Sequence, residues 1–224
     1  MARLYSKWIS LSCLSLICLG NPYAYSQMNA DQVMPIKQFT MQNRALKQNL
    51  HILLNKHGRL LNQAILAALY HAPSNTVEAV KARLFRNSSN IANLLASLYG
   101  PQAGKTFQNL FNQHILDGAQ YINAIQTNNQ RLANQIAKQA ISNGRALAEF
   151  FSRLNPSVPY TTWQTMFDDH VMLEAQQTNA YFQENLVKAN QLRDASLAQL
   201  RELANLIAYS FLRKPADQMH IMGR

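Results

Sequence analysis

Three stretches decide the fold: Ile91-Ala92-Asn93-Leu94-Leu95, Leu147-Ala148-Glu149-Phe150-Phe151 and Leu203-Ala204-Asn205-Leu206-Ile207, each 56 residues after the last. Ahead of each lies a second recurring stretch. Leu54-Asn55-Lys56-His57, Phe111-Asn112-Gln113-His114 and Phe167-Asp168-Asp169-His170 follow one another at spacings of 57 and 56. Such a period marks a tandem array of supersecondary units, in which neighbours bury a face that no unit can bury alone.

Apolar residues recur at spacings of three and four through the array, and no alternating strand pattern occurs. This predicts helices over about 40–71, 75–99, 102–127, 129–154, 160–183 and 186–213. Ala72-Pro73-Ser74-Asn75 stops one helix and caps the next. Gly100-Pro101 ends another, and Asn155-Pro156-Ser157-Val158-Pro159 breaks the chain again. Thr127-Asn128-Asn129 and Glu184-Asn185 are turns of weaker chemistry. The expected fold is all-α: a six-helix bundle or short helical stack of three tandem hairpins, occupying 40–214 as one domain.

Each helix carries an apolar heptad stripe that a polar residue interrupts. In the odd helices the interruptions include His57, His114 and His170; in the even helices they are Asn87, Asn143 and Gln199. Residues equidistant from a hairpin turn lie at one height, and His57/Asn87, His114/Asn143 and His170/Gln199 are each centred on their turn. With the hairpins side by side, the pairs fall in one layer, about 20 Å from the turns. Two readings follow. The amides satisfy buried imidazoles and fix helix register, or the three imidazoles converge on a divalent metal or a small polar ligand. Carboxylate support is uneven: Glu174 lies one turn beyond His170 and Asp117 three residues beyond His114, whereas Leu60 and Leu61 follow His57.

The stretches around the three histidines, with Asn87-Ser88-Ser89-Asn90-Ile91 and Asn143-Gly144-Arg145-Ala146-Leu147 before Asn155-Pro156, resemble a family of uncharacterised exported bacterial helical proteins. The resemblance covers about 45–213 and implies tandem His/Asn hairpins, with no reaction to carry over. Members often place Asp directly before the Ile, where this chain has Asn90 and Ala146. That departure counts against a metal role for the position.

The ends read differently. Arg3 and Lys7, the apolar run Trp8 to Leu19 and Ala24-Tyr25-Ser26 predict a secretory signal peptide over 1–26. Its apolar core is too short for a comfortable span, and Ile17 before Cys18 argues against lipoprotein processing. Cys13 and Cys18, the only cysteines, lie in this segment, so the mature chain would hold no disulfide and no thiolate ligand. A loose leader over 27–39 and a tail over 215–224 complete the division, and no transmembrane segment is expected in the mature chain.

Lys and Arg number 21 against 11 acids, a formal net charge of +10. The bases concentrate early: Lys37, Arg44, Lys47, Lys56, Arg59, Lys81, Arg83 and Arg86 face only Asp31 and Glu78 over that region. An anionic envelope component or another protein is the expected partner; nucleic acid is not, since no aromatic residues interleave the bases for stacking.

Catalytic patterns are absent. Gly100-Pro101-Gln102-Ala103-Gly104-Lys105-Thr106 imitates a phosphate-binding loop, but has three residues between its glycines and follows a helix. Neither paired Glu-x-x-His, nor His-Glu-x-x-His, nor Gly-x-Ser-x-Gly occurs. His170 with Glu174 is one pair at hemerythrin-like spacing, and Asn87-Ser88-Ser89 is a sequon set in a buried stripe. The sequence thus reads as an exported, non-enzymatic helical bundle that binds or scaffolds in the bacterial envelope, periplasmic or secreted, without a cofactor. The alternative is a bundle that binds a divalent metal or small ligand through His57, His114 and His170, with Glu174 in support.

Overall fold

Hairpin turns set the geometry of the array, and all three have one construction. His71, Asn128 and Glu184 each sit at positive φ, at 49°, 52° and 59°. Around them Ala72 N–H donates to Ala67 O, Asn129 N–H to Ala124 O and Asn185 N–H to Ala180 O, at 2.8–3.0 Å. A second bond, closing a smaller loop, runs from His71 N–H to Ala68 O, from Asn128 N–H to Ile125 O and from Glu184 N–H to Tyr181 O. This double closure with a left-handed residue is a Schellman cap. Its recurrence at 57- and 56-residue offsets shows the repeat in the backbone itself. Asn129 and Asn185 then cap the returning helices, accepting from Leu132 N–H and Lys188 N–H at 3.1 Å. The first hairpin instead has Pro73 at that position, without a side-chain cap, and Ser74 opens the helix.

The computed structural model describes the backbone over residues 30–212 and side chains over 44–211. Six helices result: α1 Ala30–Leu69, α2 Ser74–Tyr99, α3 Pro101–Gln126, α4 Gln130–Leu154, α5 Tyr160–Phe182 and α6 Leu186–Leu212. No strand occurs among the described residues. The expected signal peptide and C-terminal tail lie outside them. α1 starts at Ala30, so it extends into the stretch expected as a loose leader; Pro35 falls early in it, where it forgoes one bond to a preceding carbonyl. Residues up to Thr40 separate from the unit that begins at Met41, which holds everything below.

Within that unit the periodic stripes become the core. Leu50, Leu54, Ile91, Leu95, Phe107, Leu147, Phe151, Trp163, Leu203 and Ile207 form one buried cluster to which all three hairpins contribute. Phe151 stacks on Trp163 and on Phe167 at centroid distances of 5.0 and 5.8 Å. Nearer the turns a second cluster gathers Leu61, Ile65, Ile122, Ala180, Tyr181 and Ala189. Val77, at the turn end of its stripe, is exposed. The imitation phosphate loop opens α3, where Gly104 lets two helices approach: a Cβ there would stand 2.6 Å from Ala96 Cβ.

The array closes on itself. Gln177 Nε2 and Tyr181 Oη, on α5, both donate to Asn62 Oδ1 on α1 at 3.0 Å. His51 on α1 meets Asn205 on α6 at 2.9 Å, and Gly58 faces Leu197 and Leu200. Contact between the first and third hairpins makes this a bundle rather than an open stack. Closure turns α1, α3 and α5 towards one another, and the histidines sit between the two apolar clusters.

Candidate metal centre

His57, His114 and His170 each follow a core residue of their helix by three, since Leu54, Phe111 and Phe167 are all buried. The heptad therefore carries the imidazoles inward, where they are buried as deeply as the core around them. Ring centroids lie 5.5, 6.1 and 5.4 Å apart for the pairs 57–114, 57–170 and 114–170. Phe111 packs against both His57 and His114, at 4.7 and 5.5 Å, and helps exclude water.

Glu174, one turn beyond His170, projects into the same space and is also buried. Its Oε1 lies 3.1 Å from His170 Nε2 and 3.6 Å from His57 Nε2, and its Oε2 lies 3.3 Å from His114 Nε2. One ligand atom from each of the four residues falls within 4.8 Å of every other. The edge of a tetrahedron with metal–nitrogen bonds of 2.0–2.1 Å is about 3.3 Å, so small side-chain movements would bring all four onto one ion.

The amides orient this layer from outside. Gln199 Nε2 donates to Met166 O at 2.7 Å, Asn87 Nδ2 to Leu53 O at 3.0 Å and Asn143 Nδ2 to Leu110 O at 3.0 Å. In every hairpin the acceptor is the carbonyl four residues before the histidine. That oxygen points along the helix to the histidine's height, so the expected levels hold. The expected direct His–amide pairs form in one case only: Gln199 Oε1 meets His170 Nδ1 at 3.1 Å. Gln has one methylene more than Asn and can reach backbone and ring together. Asn87 and Asn143 spend their N–H on the backbone, and their Oδ1 atoms have no hydrogen-bond partner.

Charge follows from this enclosure. Burial disfavours ionised Glu174, but the facing His170 and His114 outweigh it and hold the carboxyl well below its usual range. Burial lowers His57 more than Glu174 raises it. For His114 burial also lowers, yet the Glu174 and Asp117 carboxylates prevail and raise it.

Asp117 was legible only as patchy support for His114. It is fully buried but is not among the four converging groups. Gln113 Nε2 and Gln139 Nε2 donate to its Oδ1 at 2.7 and 2.9 Å.

The chain matches no family model, no curated protein and no solved structure. A buried His3Glu group that could hold a metal ion is what the chain presents.

Proposed function

We propose that this protein is a metal-binding helical bundle, in which one divalent first-row transition ion joins three hairpins through His57, His114, His170 and Glu174. One observation carries the reading. Gln199 must turn its amide nitrogen to Met166 O, so its oxygen faces His170 Nδ1, and that nitrogen must bear the ring proton. His170 Nε2 then faces a Glu174 carboxylate oxygen at 3.1 Å, a separation that a proton on the ring or a metal ion between the two would satisfy. Both ring nitrogens of His57 are buried without a partner. Three imidazoles and a carboxylate that face one another in a dry interior need shared positive charge, and one ion reaching all four would supply it where single protons serve one pair each. Neutral imidazoles with one carboxylate suit zinc, copper, iron or nickel rather than calcium or magnesium. The His–amide bond that fixes the tautomer is the usual support of a ligating imidazole.

The test is stoichiometry. Protein purified without tags or chelators, equilibrated with zinc and desalted, is expected to retain one ion per chain by elemental analysis. His114→Ala and Glu174→Gln are each expected to retain far less. A wild-type chain that retains none would overturn the reading.

An envelope scaffold with an anionic partner is supported by a separate observation: Arg44, Lys47, Lys56, Arg59, Lys81, Arg83 and Arg86 are all exposed, on two consecutive helices. Phosphatidylglycerol vesicles should then bind the protein at low salt and release it as salt screens the attraction. Salt-independent binding, or none, would remove that role.

A further inference from the structure

One turn beyond the histidine, the three repeats place Leu61, Gly118 and Glu174 at equivalent positions. Glu174 belongs to the converging group and Leu61 is buried wall. Gly118 contributes no side chain, in a helix interior where only proline is less favourable than glycine. No neighbour demands it: a Cβ at Gly118 would meet nothing within 4 Å, in contrast to the crowding at Gly104. What the missing side chain leaves is room.

Two cavities of about 30 Å³ flank that room, and Leu61, His114, Gly118 and Glu174 line both. A single water needs roughly 10–15 Å³ on this scale. One of the two is lined by Asp117 as well. With Oδ1 held by two amides, Asp117 Oδ2 is buried and has no hydrogen-bond partner. A bare carboxylate oxygen in a dry interior calls for a proton donor.

We propose that the cavity bounded by Gly118 and Asp117 holds an exogenous metal ligand of one heavy atom, a water or hydroxide, that donates a hydrogen bond to Asp117 Oδ2. This rests on the metal reading above and deepens it. A solvent position beside the protein ligands makes a reactive centre, whereas structural sites are closed by protein alone. Ala137, Ala140, Val171 and Ala175 also line the cavity, whose volume of about 30 Å³ suits a ligand of water size.

Copper(II) is the probe, because it heads the affinity order for such ligands and is paramagnetic. After copper is counted per chain, electron–nuclear double resonance in ¹⁷O-enriched water reads a directly bound oxygen. The wild type is expected to show ¹⁷O coupling. Gly118→Val is expected to keep one copper per chain and lose that coupling, with Gly118→Ala, which adds only one methyl group, as the variant safest to fold. Asp117→Asn should retain copper but change the exchangeable-proton couplings of the bound water. One copper per chain with no ¹⁷O coupling in the wild type overturns this inference and leaves the metal reading standing. No bound copper overturns both. Coupling that survives in both Gly118 variants overturns the role of the glycine.

Discussion

At the scale of single residues, Glu174 and Gln199 do what no repeat-wide rule would show. Glu174 serves three histidines at once, at 3.1–3.6 Å, so one carboxylate supplies what appeared to need three. Its depressed folded pKa contributes stability above the unfolded value near 4.5, lost as pH falls through the lower folded value. His114, raised in the fold, stabilises below 6.5 and loses that contribution as pH rises through its folded value. His57, lowered in the fold, stabilises above 6.5 and loses its contribution on acidification. The two histidines therefore oppose each other near neutrality, and Glu174 adds an acid loss of its own below 4.5. Urea unfolding of metal-free protein across pH is expected to show that acid loss, reduced in Glu174→Gln; equal acid loss in both would contradict the assignment. Gln199→Leu, which releases His170 from its tautomer, is expected to weaken metal binding by about 10–100-fold in chelator competition. Unchanged affinity would mean that the ring needs no such support.

At the scale of helices and turns, the 56-residue period was legible because it preserves heptad register, and stripe and fold coincide at Leu54, Ile91, Leu147 and Leu203. Turn positions followed from Pro73, from Asn128-Asn129 and from Glu184-Asn185. The turn chemistry did not, since His71 and Glu184 adopt a left-handed conformation that favours glycine. Glu184→Gly is expected to stabilise the protein by about 0.5–1 kcal/mol in urea unfolding, relieving that conformation at some cost in unfolded-chain entropy. Destabilisation would show that the Glu184 side chain does more than turn the chain. Gly118→Ala is expected to stabilise the metal-free protein by about 1 kcal/mol, since the helix gains and no neighbour is crowded. The His–amide pairing was legible in height but not in partner. Side-chain length decided it, with Gln199 reaching the ring where Asn87 and Asn143 stop at the backbone.

At the scale of the whole molecule, convergence depends on closure, and heptad spacing carries no information about that. The bonds from Gln177 and Tyr181 to Asn62 bring the third hairpin against the first, and only then do the three rings meet. The regular histidine spacing pointed to the site, and the repeat departs from itself there: Leu61, Gly118 and Glu174 are wall, space and ligand at one repeated position. An ion held by all three hairpins should raise stability as a whole. At a free concentration a hundredfold above Kd the gain is about 2.7 kcal/mol, or roughly 5–10 °C in Tm for a chain of this size. The most direct measurement is anomalous diffraction at the zinc edge from crystals grown with zinc. The expected result is a single peak about 2.0–2.2 Å from the Nε2 atoms of His57, His114 and His170 and from a Glu174 oxygen. The contradicting result is no peak among these four residues, with Glu174 instead hydrogen-bonded to a protonated His114.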